Sequence, residues 1–244
     1  MRSHLSAIAA LVIFIINAAT AAQQAQQAPP VPSISQRPTG SSLGTIRVGA
    51  ADNTIWFGWR VGIPSASIDG ATFSDALAIA DTLAVTSVEA SSTEITSAEV
   101  PKPLNHRLQP GERNAVNYRL RELNQQVLDY RVGTLDPDPA VRRKVFEFAR
   151  AITAPLLVIS EASANLAEVD TLAQEFGVDV AVEGKVPKAV LTAVHGLSRR
   201  IGVAANLVAS GGRLDADTLG AIKERLLFVT VPPEVATGDF FLAA

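Results

Sequence analysis

Short apolar runs alternate with amphipathic stretches along most of the chain, which predicts strands covered on both faces alternating with helices. The clearest unit is 156–183, LLVISEASANLAEVDTLAQEFGVDVAVE. Leu156, Leu157, Val158 and Ile159 predict a strand. Asn165 followed by Glu168 is an N-cap signature, Leu166, Val169, Leu172, Ala173 and Phe176 share one helical face, and Gly177 supplies the stop. Val178 to Val182 is the returning strand. A parallel crossover is right-handed almost without exception, so both strand ends reach the same rim. Glu161 and Glu183 then stand on that rim, where barrel and doubly wound enzymes carry their chemistry.

The same rhythm extends in both directions. Val61 to Ser65 and Thr86 to Ala90 predict strands around a helix from Phe73 to Leu83, and Glu89 falls inside the second of them. Thr93 to Gln109 is a Pro-containing loop that carries His106. Pro110 to Leu123 predicts a helix and Val127 to Val132 a strand; Asp138 and Pro139 then cap and open a helix bearing Val141, Val145, Phe148 and Ile152. After Glu183, Pro187 opens a helix with Val190, Leu191, Val194 and Leu197 inward, Ile201 to Ala205 is a strand, Asp215 caps a helix, and Leu226 to Val231 is a strand. Seven strands are legible from Val61 onward, and the tail Gly238 to Ala244 offers only FFLA for an eighth. The expected fold is therefore α/β, a TIM (β/α)8-like barrel with a short or absent last strand.

The first residues follow a different pattern. Arg2, the apolar run Leu5 to Ile16 and the small residues 19–22 read as a signal peptide over 1–22, too short in its apolar part to span a bilayer as a helix. Export, to the periplasm or beyond, is the expectation. Residues 23–44 are a Gln/Pro/Ser-rich linker without apolar period, and 45–244 form the folded domain. Ile46 to Trp59 reads as a hairpin around Asp52 and Asn53, with Trp56, Phe57 and Trp59 as an apolar plug.

Composition narrows the chemistry. Of 244 residues 48% are hydrophobic, the formal net charge is −3, and there is no cysteine. No global basic field exists to hold nucleic acid, and thiolate zinc sites and cysteine nucleophiles are excluded. Three histidines make a histidine-rich metal centre hard to assemble. The run Arg142-Arg143-Lys144 reads as a solvated helix face, His195 as a solvated or half-buried helix residue, and Ser210-Gly211-Gly212 as a turn.

WRVGIPS, SVEAS, VRRKVFEFARAI before LLVISEA, LAEVDTLAQEFGVDVAVEGK, RIGVAANLVASG and LLFVTVPPE, in this order and spacing, resemble the sugar phosphate isomerase/epimerase family of xylose isomerase-like barrels over roughly 59–234. The resemblance implies a divalent metal, Mn²⁺ or Mg²⁺, held by carboxylates and histidines at the rim, and an acid that moves a proton between neighbouring sugar carbons. Glu161 matches a metal-binding glutamate of that family. Elsewhere the pattern is replaced: Glu183-Gly184-Lys185 stands where the family often has His-Asn-His, Asn206 and Ala209 where it has aspartate and histidine, and Thr230 where it has histidine. Three readings follow. Either the chain is a degenerate member that binds a small sugar-like ligand or a partner, or Glu161 and Glu183 still hold a metal and catalyse, alone or completed by a second subunit, or the chain is an export-tethered scaffold whose barrel stays open after the seventh strand and pairs with another subunit. Glu161 is correspondingly either a ligand or a rim carboxylate satisfied by nearby backbone N–H groups.

Overall fold

Residues 11–15, 55–56, 59–68, 72–163, 165–207 and 214–231 are described by the structure, a computed structural model. The leader and linker outside 11–15, the plug residue Phe57, the Ser210-Gly211-Gly212 turn and the FFLA tail lie outside these residues. In chain order the strands are β1 (Leu11–Ile15), β2 (Ile55–Trp56), β3 (Trp59–Pro64), β4 (Ser87–Ser91), β5 (Gln126–Gly133), β6 (Leu156–Ser160), β7 (Asp179–Glu183), β8 (Ile201–Asn206) and β9 (Leu226–Val231). The helices are α1 (Phe73–Thr82), α2 (Pro110–Glu122), α3 (Pro139–Ala151), α4 (Leu166–Phe176), α5 (Pro187–Ala193) and α6 (Ala216–Ile222).

Strands β3 to β9 are parallel and neighbour one another in sequence order, so the core is a curled seven-stranded sheet forming a half-barrel, with a helix between each successive pair beyond the β4–α2 loop. Sequential order with right-handed crossovers leaves every helix on the same, outer face. β1 runs antiparallel to both sheet ends, with Val12 opposite Thr230 of β9 and Gly62 of β3. β2 pairs antiparallel with β3, Ile55 opposite Arg60 and Trp56 opposite Trp59, and the turn expected around Asp52 and Asn53 lies outside the described residues.

The outer face carries the larger core. Val88, Ala90, Val127, Tyr130, Leu157, Ile159, Val180, Val182, Val203 and Val229 pack there under helix residues such as Phe73, Leu77, Phe146, Phe148 and Val169. Leu128, Leu156, Val158, Ala181, Ala204 and Phe228 form a second, inner cluster. Strands buried on both faces explain the unbroken apolar runs that stand where alternation would mark a half-solvated sheet. Gly62 is needed for close packing, since a Cβ there would lie 2.8 Å from the Ser87 carbonyl oxygen.

Helix ends follow the capping chemistry written in the chain. Thr72 and Asp75, and Gln109 and Glu112, form reciprocal capping boxes. Asp138, Asn165 and Asp215 accept from first-turn N–H groups, and Gly177 closes α4 in the left-handed region at φ 68°. The basic run of α3 departs from the expected solvated face. Arg143 and Lys144 are exposed, but Arg142 is buried and donates to the carbonyls of Asp136 and Pro137 and to Glu168.

Candidate functional site at the strand ends

The C-terminal half of β5 places two charged residues in the curl of the sheet. Val88 is paired with Val127, but Glu89 is paired with Asp129, so Leu128 is an extra residue and β5 carries a bulge. The bulge sets Leu128 in the inner apolar cluster and brings Asp129 level with Glu89. Arg131 follows and reaches across the mouth. Its Nε and Nη2 donate to the two carboxylate oxygens of Glu89, both at 3.3 Å, and its Nη1 donates to Glu183 Oε2. Nη2 also lies 3.4 Å from Thr230 Oγ1, and the guanidinium carbon sits 5.7 Å from the centre of the Phe228 ring. Asn206 Nδ2 donates to Glu183 Oε1 at 2.6 Å. One cation on β5 therefore ties together side chains of β4, β7 and β9, and Asn206 of β8 completes the ring.

Burial sets the protonation of this group. Asp129 is fully buried, and neither of its carboxylate oxygens accepts a hydrogen bond. Burial and the adjacent Glu89 carboxylate raise its pKa well above the ordinary value. Two acceptors side by side are satisfied once Asp129 holds a proton and donates it to Glu89. For Arg131, burial opposes the charge, but Glu89 and Glu183 more than offset it, so its pKa is raised and the guanidinium stays charged. Glu94, at the loop after β4, is also pushed up by burial, although Ser65 Oγ at 2.7 Å and the Ser91 N–H at 2.8 Å donate to its Oε2.

Glu161 and Glu183 are neighbours through the main chain, where the Glu161 N–H donates to the Glu183 carbonyl at 2.7 Å. Their carboxylates engage different partners. Glu183 turns to Arg131 and Asn206, whereas Glu161 is exposed, lies against Gly184, and accepts from the Lys185 N–H at 3.4 Å. Asn206 presents its amide N–H to Glu183, and Thr230 its hydroxyl to Arg131. His195 is exposed in the turn after α5. Among the described residues no three His, Cys, Asp or Glu side chains are grouped to hold a metal ion.

A hard divalent cation wants several anionic oxygens converging on one point. Here both Glu183 oxygens accept from nitrogen donors, Glu89 is held by the same guanidinium, and burial beside Glu89 raises the pKa of Asp129. The donor set as arranged does not fit that cation. It does present Glu183, Arg131, Asn206 and Thr230, all part-exposed, as neighbouring acceptors and donors at the strand ends. Asp129 and Arg131 were not among the residues singled out from the sequence. The available signal was their presence within VLDYRV, since charges inside a strand covered on both faces must be paired with one another.

No protein-family model and no curated protein matches the chain. Among solved structures the fold is similar to that of an uncharacterized protein from Parabacteroides distasonis ATCC 8503, with a TM-score of 0.60 and 20% identity, covering 68% of this chain and 71% of that one. At this identity the likeness shows the fold alone. It supports the half-barrel arrangement of strands and helices and carries no chemistry to this chain.

Proposed function

We propose that the mouth of the half-barrel is a metal-independent binding site for a small sugar-like ligand, in a degenerate relative of the xylose isomerase-like TIM barrels. The observation that carries this reading is the position of the Arg131 guanidinium between Glu89 and Glu183. A fixed cation there supplies the charge balance that a divalent ion gives such a mouth, and like-charge repulsion disfavours a second cation beside it. Glu183, Asn206, Thr230 and Arg131 together offer acceptors and donors suited to neighbouring hydroxyl groups, which both donate and accept. The competing proposal, an active Mn²⁺- or Mg²⁺-dependent isomerase using Glu161 and Glu183, requires Glu183 to leave Arg131 and Glu161 to swing from the Lys185 amide.

The deciding experiment is calorimetric titration of the full chain with a panel of monosaccharides and alditols, first in EDTA and then in Mn²⁺. The proposal expects saturable binding of at least one polyol in EDTA, with an affinity that Mn²⁺ changes by less than about threefold. Binding seen only with Mn²⁺, or ketose–epimer interconversion that Glu161→Gln abolishes, would overturn it. Export of the chain behind its N-terminal leader is proposed with it, on Arg2, the apolar run and the small residues at 19–22.

A further inference from the structure

A second polar concavity lies outside the mouth, between the loops that follow β4 and β5. It is a cleft of about 470 Å³ lined by His106 and Arg107 of the first loop, Arg113 of α2, Asp136 of the second loop, and Val141 and Lys144 of α3. Three cations face one carboxylate, in a chain whose formal net charge is −3. Among the described residues Arg107, Arg113 and Lys144 form no ion pair. Asp136 is partly engaged by its own loop, with Oδ1 accepting from the Asp138 N–H at 2.9 Å.

The basic run of α3 divides three ways. Arg142 is consumed by the Asp136 and Pro137 carbonyls and Glu168, and Arg143 by Glu175 and Glu147, but Lys144 turns into the cleft. His106 senses the result. Its pKa is lowered first by burial and then by Arg107 and Lys144, against which Asp136 pulls the other way. At the two flanking helix ends the Gln109 N–H donates to Glu112 and the Ala140 N–H to Asp138, so the side chains supply the charge that faces an incoming group.

We infer that this cleft binds the phosphate group of a phosphorylated small molecule through Arg107, Arg113 and Lys144. Two guanidinium forks and an ammonium around one concavity match a tetrahedral dianion, which takes paired N–H donors from arginine and a point charge from lysine. The volume falls within the roughly 300–1,000 Å³ of small-molecule sites, so the cleft has room for a phosphate and the body that carries it. Burial first, and then Arg107 and Lys144, hold the His106 pKa down, so an anion bound between these cations would raise it. This assignment stands apart from the reading of the mouth and does not depend on it.

The test titrates the full chain with inorganic phosphate and pyrophosphate at low ionic strength by calorimetry, and follows the His106 ring signals by NMR, assigned through His106→Gln. Saturable binding is expected, tighter for pyrophosphate, weakened at least about tenfold in Arg113→Ala/Lys144→Ala and unchanged in Arg199→Ala, a cation exposed elsewhere on the surface. The bound anion should raise the His106 pKa, a response that general charge screening reproduces only at much higher salt. Absence of saturable binding, an affinity kept by the double variant, or citrate binding more tightly than pyrophosphate would each overturn the inference. So would an affinity lost in Arg131→Ala but kept in the double variant, which would put the anion in the mouth.

Discussion

Asp129→Asn should make the protein more stable at neutral pH, and the pH dependence of the gain carries the information. The native carboxyl is fully buried beside Glu89, and its folded pKa is raised well above 3.8. In the unfolded chain the same group titrates near that ordinary value. Below it, folded and unfolded states both hold the proton and the native contribution is complete. As the pH rises from there toward the folded pKa, the unfolded chain releases a proton that the folded chain keeps. Stability then falls by about 1.4 kcal/mol per pH unit, until the folded pKa is passed and the slope vanishes. Asparagine has the same shape, does not titrate, and gives Glu89 a permanent N–H donor. The stability of Asp129→Asn minus that of the native protein should climb with the same slope, about 1.4 kcal/mol for each pH unit spent inside that window. Urea unfolding followed by circular dichroism, from about pH 4.5 to about pH 7.5, measures the difference directly while every unaltered group cancels. A difference that stays flat with pH, or that declines as pH rises, would show that Asp129 is ionised in the fold and would remove the basis for its raised pKa.

Three other perturbations read different parts of the molecule. Arg131→Ala leaves Glu89 and Glu183 facing one another without a cation; with the arginine side chain 26% exposed, a loss of about 3 kcal/mol is expected in urea unfolding, and millimolar Mn²⁺ should raise the melting temperature of the variant but not of the native protein. An equal Mn²⁺ shift in both would contradict the view that the guanidinium holds the cation's place. Arg142→Ala removes donors from two carbonyls and from Glu168 and should cost about 2–4 kcal/mol, whereas Arg143→Ala, cutting exposed pairs to Glu175 and Glu147, should stay within about 1 kcal/mol. Removal of 1–22, the cleavage that the proposed export implies, takes away β1, the antiparallel neighbour of both β3 and β9, so the truncated chain should self-associate through those strands. Analytical ultracentrifugation decides that, and a monomeric truncated chain at high concentration would refute it.

The scaffold was legible because its signals are local. Asp138, Asn165 and Asp215 open helices by hydrogen-bonding their own first turns, and Gly177 ends one where a side chain would be strained. Strands such as LLVIS are apolar throughout because both faces are covered, which marks them without fixing which residue faces which side. Arg142 was hidden for a related reason. Its partners Asp136, Pro137 and Glu168 lie on a preceding loop and a later helix, so nothing in the basic run separates the buried arginine from its exposed neighbours.

The chemistry at the strand ends was obscured by a break in phase. Strict alternation along VLDYRV would put Val127, Asp129 and Arg131 on one face and Leu128, Tyr130 and Val132 on the other. In the fold Val127 joins Tyr130 in the outer core, Leu128 joins the inner cluster, and Arg131 crosses the mouth to Glu183. The extra residue at Leu128 makes this possible, and the pairing of Glu89 with Asp129 fixes it. A bulge of this kind re-aims side chains that the period alone would bury elsewhere, and its position depends on the neighbouring strand. Glu161 could be placed on the rim from its own strand, but its carboxylate is directed by Gly184 and Lys185 of the next one. Whether two rim acids converge is a property of register between strands. The acid pair that does meet, Glu89 with Asp129, is brought together across β4 and β5 by an irregularity that neither strand displays by itself.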